Sequence, residues 1–378
     1  MKNYVVAISL LLVLLAGCSE KQESSALQQL PLDLQAGKLL AEANCIGCHG
    51  LDGRGTKDDI PNLAAQKEAY LLKVFQSYDH GKRTRSSGDL MEIAEELTPA
   101  ELRNALGYYA SLPPLANPGA HSGRYSYYDL GEVLSKACVS CHGSDGNPTQ
   151  AGMPRLAGQH PQYLAKAMRS YQDGIRMMPS MHGKLTNLSQ ADLENVALFF
   201  ALQAPKPAPS QASNPYEGKQ FTYDCTECHG SKGSSKDAAI PNLAGQDADY
   251  LNTMIKAYRD KVRDHGQMHV LIGELKDSEI DKIAIFFASE QPEPVTFMQP
   301  ESIYSLVQKC ARCHTPETTS PDMLAPKLDG QNRSYLINAL RLYRDGERGS
   351  SAMHRMSTIY GEATIEGIAG YYSAQAAK

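Results

Sequence analysis

The chain has 378 residues, a length for two to four domains, with 42% hydrophobic residues, 7% aromatic residues and no Trp. A formal charge of −5 comes without a basic patch or stripe, which excludes a nucleic-acid binder. Nine cysteines are present, and eight of them fall into one pattern repeated four times.

The amino terminus reads as a targeting segment. Lys2 precedes an apolar run from Tyr4 to Leu15, too short for a spanning helix and suited to a signal core. The run ends in Leu15-Ala16-Gly17-Cys18, which resembles a bacterial lipobox. Residues 1–17 are then the signal peptide, and Cys18 is the lipidated first residue of the mature chain. An ordinary signal peptide with an incidental Cys is the alternative. Ser19 after the Cys resembles a sorting signal for the outer rather than the inner membrane. Acyl chains hold such a protein at a membrane surface. Residues 18–32 are polar and read as a flexible tether.

The rest of the chain is four repeats. Cys45-Ile46-Gly47-Cys48-His49 returns as Cys138 to His142, with Cys138, Cys141 and His142. It returns again with Cys225, Cys228 and His229, and with Cys310, Cys313 and His314. C-x-x-C-H is the attachment signal of a c-type haem: the thiols form thioethers and the His takes an axial position on iron. A Pro follows each His by 12 residues: Pro61, Pro154, Pro241 and Pro326. A Tyr-Leu pair then opens a middle helix, at Tyr70, Tyr163, Tyr250 and Tyr335. A last helix begins with a capping box, Thr98 to Glu101 in repeat one and Ser189 to Asp192 in repeat two. It ends in paired aromatics such as Tyr108-Tyr109 and Phe286-Phe287. No strand pattern appears, so the fold class is all-α, with four helical domains at 33–116, 125–203, 216–290 and 300–378. The Pro-rich stretch 204–215 reads as a semi-rigid linker between halves.

Met181, Met268 and Met353 each lie 27 residues after their repeat's Pro and are the candidate second axial ligands. Repeat one has Met91, 30 residues after Pro61, with His80 as a rival. Met177, Met178 and Met356 are rivals in repeats two and four. His and Met together are a standard ligand set of cytochromes c. Each of Met181, Met268 and Met353 is followed by a His (His182, His269, His354). That His is either a solvated residue, a partner for a haem carboxylate or an alternative ligand.

These motifs resemble class I cytochrome c domains, and more closely the cytochrome c4 family, whose members join two such domains. The resemblance covers about residues 33–378 and implies four covalent haems with iron in two di-haem halves. It also implies that the carbonyls of Pro61, Pro154, Pro241 and Pro326 accept hydrogen bonds from the proximal His rings, fixing tautomer and orientation. The expected function is electron transfer in a bacterial periplasm, with no catalytic residue. Donors would be a quinol-oxidising complex or a dehydrogenase, and acceptors an oxidase or reductase. The alternatives are a cytochrome subunit of a larger dehydrogenase or oxidase complex, and a haem enzyme with an open first haem.

Overall fold

The computed structural model describes residues 31–57, 59–79, 92–93, 96–115, 126–207, 214–297, 300–315 and 324–376. Cys18, His80, Met91 and the signal segment lie outside the described residues. Among those described, the chain is helical with no β-strand element.

Each repeat follows one plan. A leading helix runs into the CxxCH turn: Leu34–Asn44, Tyr127–Ser135 and Ile303–His314. Repeat three replaces most of it with a 3-10 helix, Pro215–Phe221, followed by Tyr223–His229. Middle helices are Glu68–Asp79, Pro161–Gln172, Ala248–Arg259 and Arg333–Arg344. Closing helices are Pro99–Ser111, Gln190–Ala201, Asp277–Ser289 and Glu362–Ala374. The expected capping boxes form: Thr98 and Ser189 accept from the N–H groups of Glu101 and Asp192, whose carboxylates reach back. A short helix before the closing helix has no counterpart in the sequence reading. It spans Pro179–Leu185, Gly266–Ile272 and Ser351–Ser357.

The closing helix supplies most of each core. Leu102, Leu106 and Tyr109 pack with Ala41, Leu71 and Leu72 in repeat one. Val196, Phe199 and Phe200 pack with Leu164 in repeat two, and Ile283, Phe286 and Phe287 with Leu251 in repeat three. Full burial of one such side chain contributes about 1.5–3 kcal/mol. The second aromatic of each closing pair also anchors the Pro loop through its carbonyl. Tyr109, Phe200, Phe287 and Tyr372 accept there from the N–H groups of Ala65, Gly158, Gly245 and Gly330.

The repeats group into two units. One comprises Met1–Ser122, Val307–Ile359 and Ala369–Lys378; the other comprises Gly123–Leu306 and Tyr360–Ile368. Repeat one therefore shares a unit with most of repeat four, and repeat two with repeat three. Two pairs were expected, but with a division at 204–215. The structure instead places both sides of that stretch in one unit. The physical reason is that its first residues fold back onto repeat two. Lys206 donates from its N–H to Asn147 Oδ1 and from its Nζ to Asp145, and its carbonyl accepts from Arg155.

Within each unit the Pro loops exchange matched hydrogen bonds through a buried Gln. In the second unit Gln159 Oε1 accepts from Asn242 N–H at 2.9 Å and its Nε2 donates to the Asn242 carbonyl at 3.0 Å. Gln246 does the same for Arg155, at 2.7 and 3.1 Å. In the first unit Gln66 pairs so with Lys327, at 2.9 and 3.0 Å, and Gln331 with Asn62, at 2.7 and 3.0 Å.

Candidate haem sites

Each CxxCH sequence lies on a helical turn, so positions i, i+3 and i+4 share one face. That places both thiols and the imidazole of one motif together. The first cysteine of each motif, Cys45, Cys138, Cys225 and Cys310, is half-buried. Burial pushes the Cys45 and Cys225 thiols up to about 11 and raises Cys138 and Cys310 as well. A redox-active CxxC needs a thiol shifted the other way.

The four imidazoles have one environment. His49, His142, His229 and His314 hold Nδ1 at 3.0, 3.0, 2.8 and 2.9 Å from the carbonyls of Pro61, Pro154, Pro241 and Pro326. A carbonyl can only accept, so Nδ1 carries the proton and Nε2 keeps its lone pair. Burial holds all four rings below the ordinary imidazole pKa, against the opposing pull of the Pro hydrogen bond. The neutral ring with a free Nε2 is the form that binds a metal ion. Cysteine pairs, neutral imidazoles and apolar walls together fit a covalently attached haem.

Met181, Met268 and Met353 all sit half-buried on the short helices. Two rivals fare worse, since Met177 is 78% and Met178 41% exposed. Met356 is half-buried on the same helix as Met353 and is not separated from it by burial. The His after each Met has a structural task that the sequence did not reveal. Nδ1 of His182, His269 and His354 donates to the carbonyls of Tyr171, Tyr258 and Tyr343, at 3.1, 2.6 and 2.7 Å. Those carbonyls lie at the end of the middle helix, where they also accept from the N–H groups of Gly174, Lys261 and Gly346, and the ring adds a second donor. The ring thus ties the Met-bearing helix to the middle helix. Its constant spacing from Tyr, 11 residues in three repeats, was the available signal.

The chain is similar to known c-type cytochromes. The cytochrome c family model matches residues 34–112 and 216–289, and the model of cytochrome c oxidase, cbb3-type, subunit III matches 129–200. Cytochrome c4 of Pseudomonas aeruginosa is 32% identical over 170 residues, covering 41% of this chain and 85% of that protein. The thiosulfate dehydrogenase electron acceptor of Thiomonas intermedia is 33% identical over 175 residues, covering 42% of this chain and 80% of that protein. Among solved structures, reduced cytochrome c4 from Pseudomonas stutzeri matches with 27% identity and a TM-score of 0.41, over 43% of this chain and 98% of that one.

Fold and site together define a c-type cytochrome, an electron-transfer protein with covalently bound haem iron. The chain belongs to the cytochrome c4 family. The cytochrome c4 relatives of Pseudomonas aeruginosa and Azotobacter vinelandii each align with only about two-fifths of it.

Proposed function

We propose that the chain carries four haems, one per repeat, and passes electrons in a periplasmic respiratory chain without catalysing bond chemistry. The observation that carries this is the fourfold recurrence of a neutral His, buried or half-buried, whose Nδ1 meets a Pro carbonyl. Cys45, Cys48, Cys138, Cys141, Cys225, Cys228, Cys310 and Cys313 would attach the haems. His49, His142, His229 and His314 would be the proximal ligands. Met181, Met268, Met353 and Met91 would complete the coordination. Haem iron held by His and Met cycles between ferrous and ferric states and leaves no position open for substrate.

The chain's own residues orient the ligands: the Pro carbonyls fix the proximal rings, and the His–Tyr carbonyl ties hold the Met helices. Cys18 would anchor the mature protein by lipid at the outer membrane, a reading supported by Leu15 to Cys18 in the sequence. Replacing Cys18 with Ser should then release the protein from the membrane fraction.

A second reading has a specific observation behind it. One relative is named as the electron acceptor of a thiosulfate dehydrogenase. This chain would then be the cytochrome partner of a dehydrogenase, and a complex would survive gentle purification. The test of the main reading is haem content and ligation of the purified full-length protein. The expected result is four haems per chain, with a ferric sulfur-to-iron charge-transfer band scaled to four and no carbon monoxide binding after reduction. Fewer haems, or one haem that takes up carbon monoxide, overturns it.

A further inference from the structure

Two buried arginines, each five residues before a candidate Met ligand, have part of their hydrogen-bonding capacity unanswered. Arg263 is 7% and Arg348 8% exposed. Nε and Nη2 of Arg263 and Nε of Arg348 are fully buried and have no hydrogen-bond partner among the described residues. What surrounds them is aromatic. The Arg263 guanidinium lies 4.9 Å from the Tyr258 ring centre, its Nη1 meets the Met254 sulfur at 2.7 Å, and the Tyr250 hydroxyl is a further partner. Tyr163, Tyr171 and Tyr250 are its other electrostatic neighbours. The Arg348 guanidinium lies 4.7 Å from the Tyr343 ring and donates to the Tyr335 hydroxyl at 3.2 Å.

The placement is built into the repeat. Arg263 and Arg348 each precede their candidate Met ligand by five residues, and Arg176 does so in repeat two. All three backbones make the same turn. The N–H groups of Arg176, Arg263 and Arg348 donate to the carbonyls of Ser170, Ala257 and Leu342, at 2.9, 2.9 and 3.0 Å. A left-handed residue stands two positions before each: Gly174, Lys261 and Gly346. The Arg176 guanidinium also sits over two Tyr rings, 5.6 Å from Tyr163 and from Tyr171.

A buried cation without a counter-charge is strongly destabilising. Stacking on a ring returns only part of that cost. The deficit calls for an anion that the described residues do not supply. Each haem brings two propionate carboxylates, and a guanidinium fork matches a carboxylate in two-point geometry. We propose that Arg263 and Arg348, with Arg176 in repeat two, each hold a propionate of their own repeat's haem. This rests on the haem reading given above. The Tyr rings wall the ion pair from water, so each Arg keeps its propionate ionised and raises the potential of that haem.

The test uses the full-length holoprotein with Arg263→Gln and Arg263→Lys, read by haem count and by optical redox titration. Four haems in the unaltered protein establish the haem reading independently of the arginines. In Arg263→Gln the potential of one haem should fall by about 59 mV, a tenfold change for a one-electron couple, while three stay in place. That potential should also become pH-dependent as the propionate begins to titrate. Lys should restore most of the shift. If the Gln variant loads only three haems and the Lys variant loads four, the charge requirement is equally supported. Four haems at unaltered potentials in Arg263→Gln overturn the proposal. So does loss of a haem in both variants, which would mark the Arg as a packing residue.

Discussion

Ala65 occupies a position that the other repeats give to Gly. Its φ is 57°, in the left-handed region, where Gly158, Gly245 and Gly330 stand at 64°, 62° and 72°. All four residues donate their N–H to the carbonyl of the buried closing aromatic, so the conformation is imposed by the loop rather than chosen locally. A side chain in that region costs about 1–2 kcal/mol, and the greater freedom of unfolded Gly takes back about 0.4–1 kcal/mol. Ala65→Gly should therefore stabilise the holoprotein by about 0.5–1 kcal/mol, the difference of those two effects. A denaturant midpoint that stays put or falls would show that the loop is not strained. The reverse change, Gly158→Ala, should destabilise more strongly. Its added carbon would stand 2.7 Å from the Pro205 ring as well as in an unfavourable φ.

At the scale of the helix pair, the same geometry is met by two different sequences. The leading helix crosses the closing helix so closely that one partner must lack a side chain. In repeats one to three the Gly is on the leading helix. A Cβ on Gly37, Gly131 or Gly218 would stand 2.1, 2.2 or 2.0 Å from the backbone oxygen of Asn104, Asn195 or Lys282. Repeat four reverses the roles. Gly367 stands on the closing helix at the place of those three residues, and Ile303 comes up from the leading segment to fill the space. The helices themselves were legible from capping boxes, apolar spacing and paired aromatics. This crossing was not, because a Gly within a helical pattern reads only as a mild cost until its neighbour is known. Gly131→Ala meets a carbonyl that cannot rotate away and should cost about 3 kcal/mol, the upper end of overpacking. Gly367→Ala meets the Ile303 side chain, whose Cδ1 would be 2.5 Å away. Ile303→Val removes that atom. The double variant should be more stable than the sum of the two single changes predicts, and strict additivity in melting experiments would refute the role reversal.

At the scale of the whole chain, the pairing of repeats is where the structure departs from the sequence reading. Every repeat carries the same Gln in its Pro loop, so Gln66, Gln159, Gln246 and Gln331 offer identical chemistry to any partner. The Pro-rich stretch suggested a boundary between repeats two and three. Its opening residues serve instead as a tie on repeat two, anchored at Asp145, Asn147 and Arg155. The result is an inner pair in sequence, two with three, and an outer pair, one with four. The bonds that define each pair are buried backbone groups satisfied by one side chain, and leaving such a group unsatisfied costs about 1–3 kcal/mol. Gln159→Ala would strand the N–H and carbonyl of Asn242. Amide exchange at Asn242 should then accelerate about 5- to 150-fold, the factor that 1–3 kcal/mol sets for opening. The amides of Asn62 and Lys327, bonded to Gln331 and Gln66, should exchange as before. Were the repeats paired one with two, the same substitution would release an amide in repeat one and leave Asn242 protected. Hydrogen exchange on the single variant therefore decides between nested and sequential pairing, and with it which two candidate haem sites share a pair.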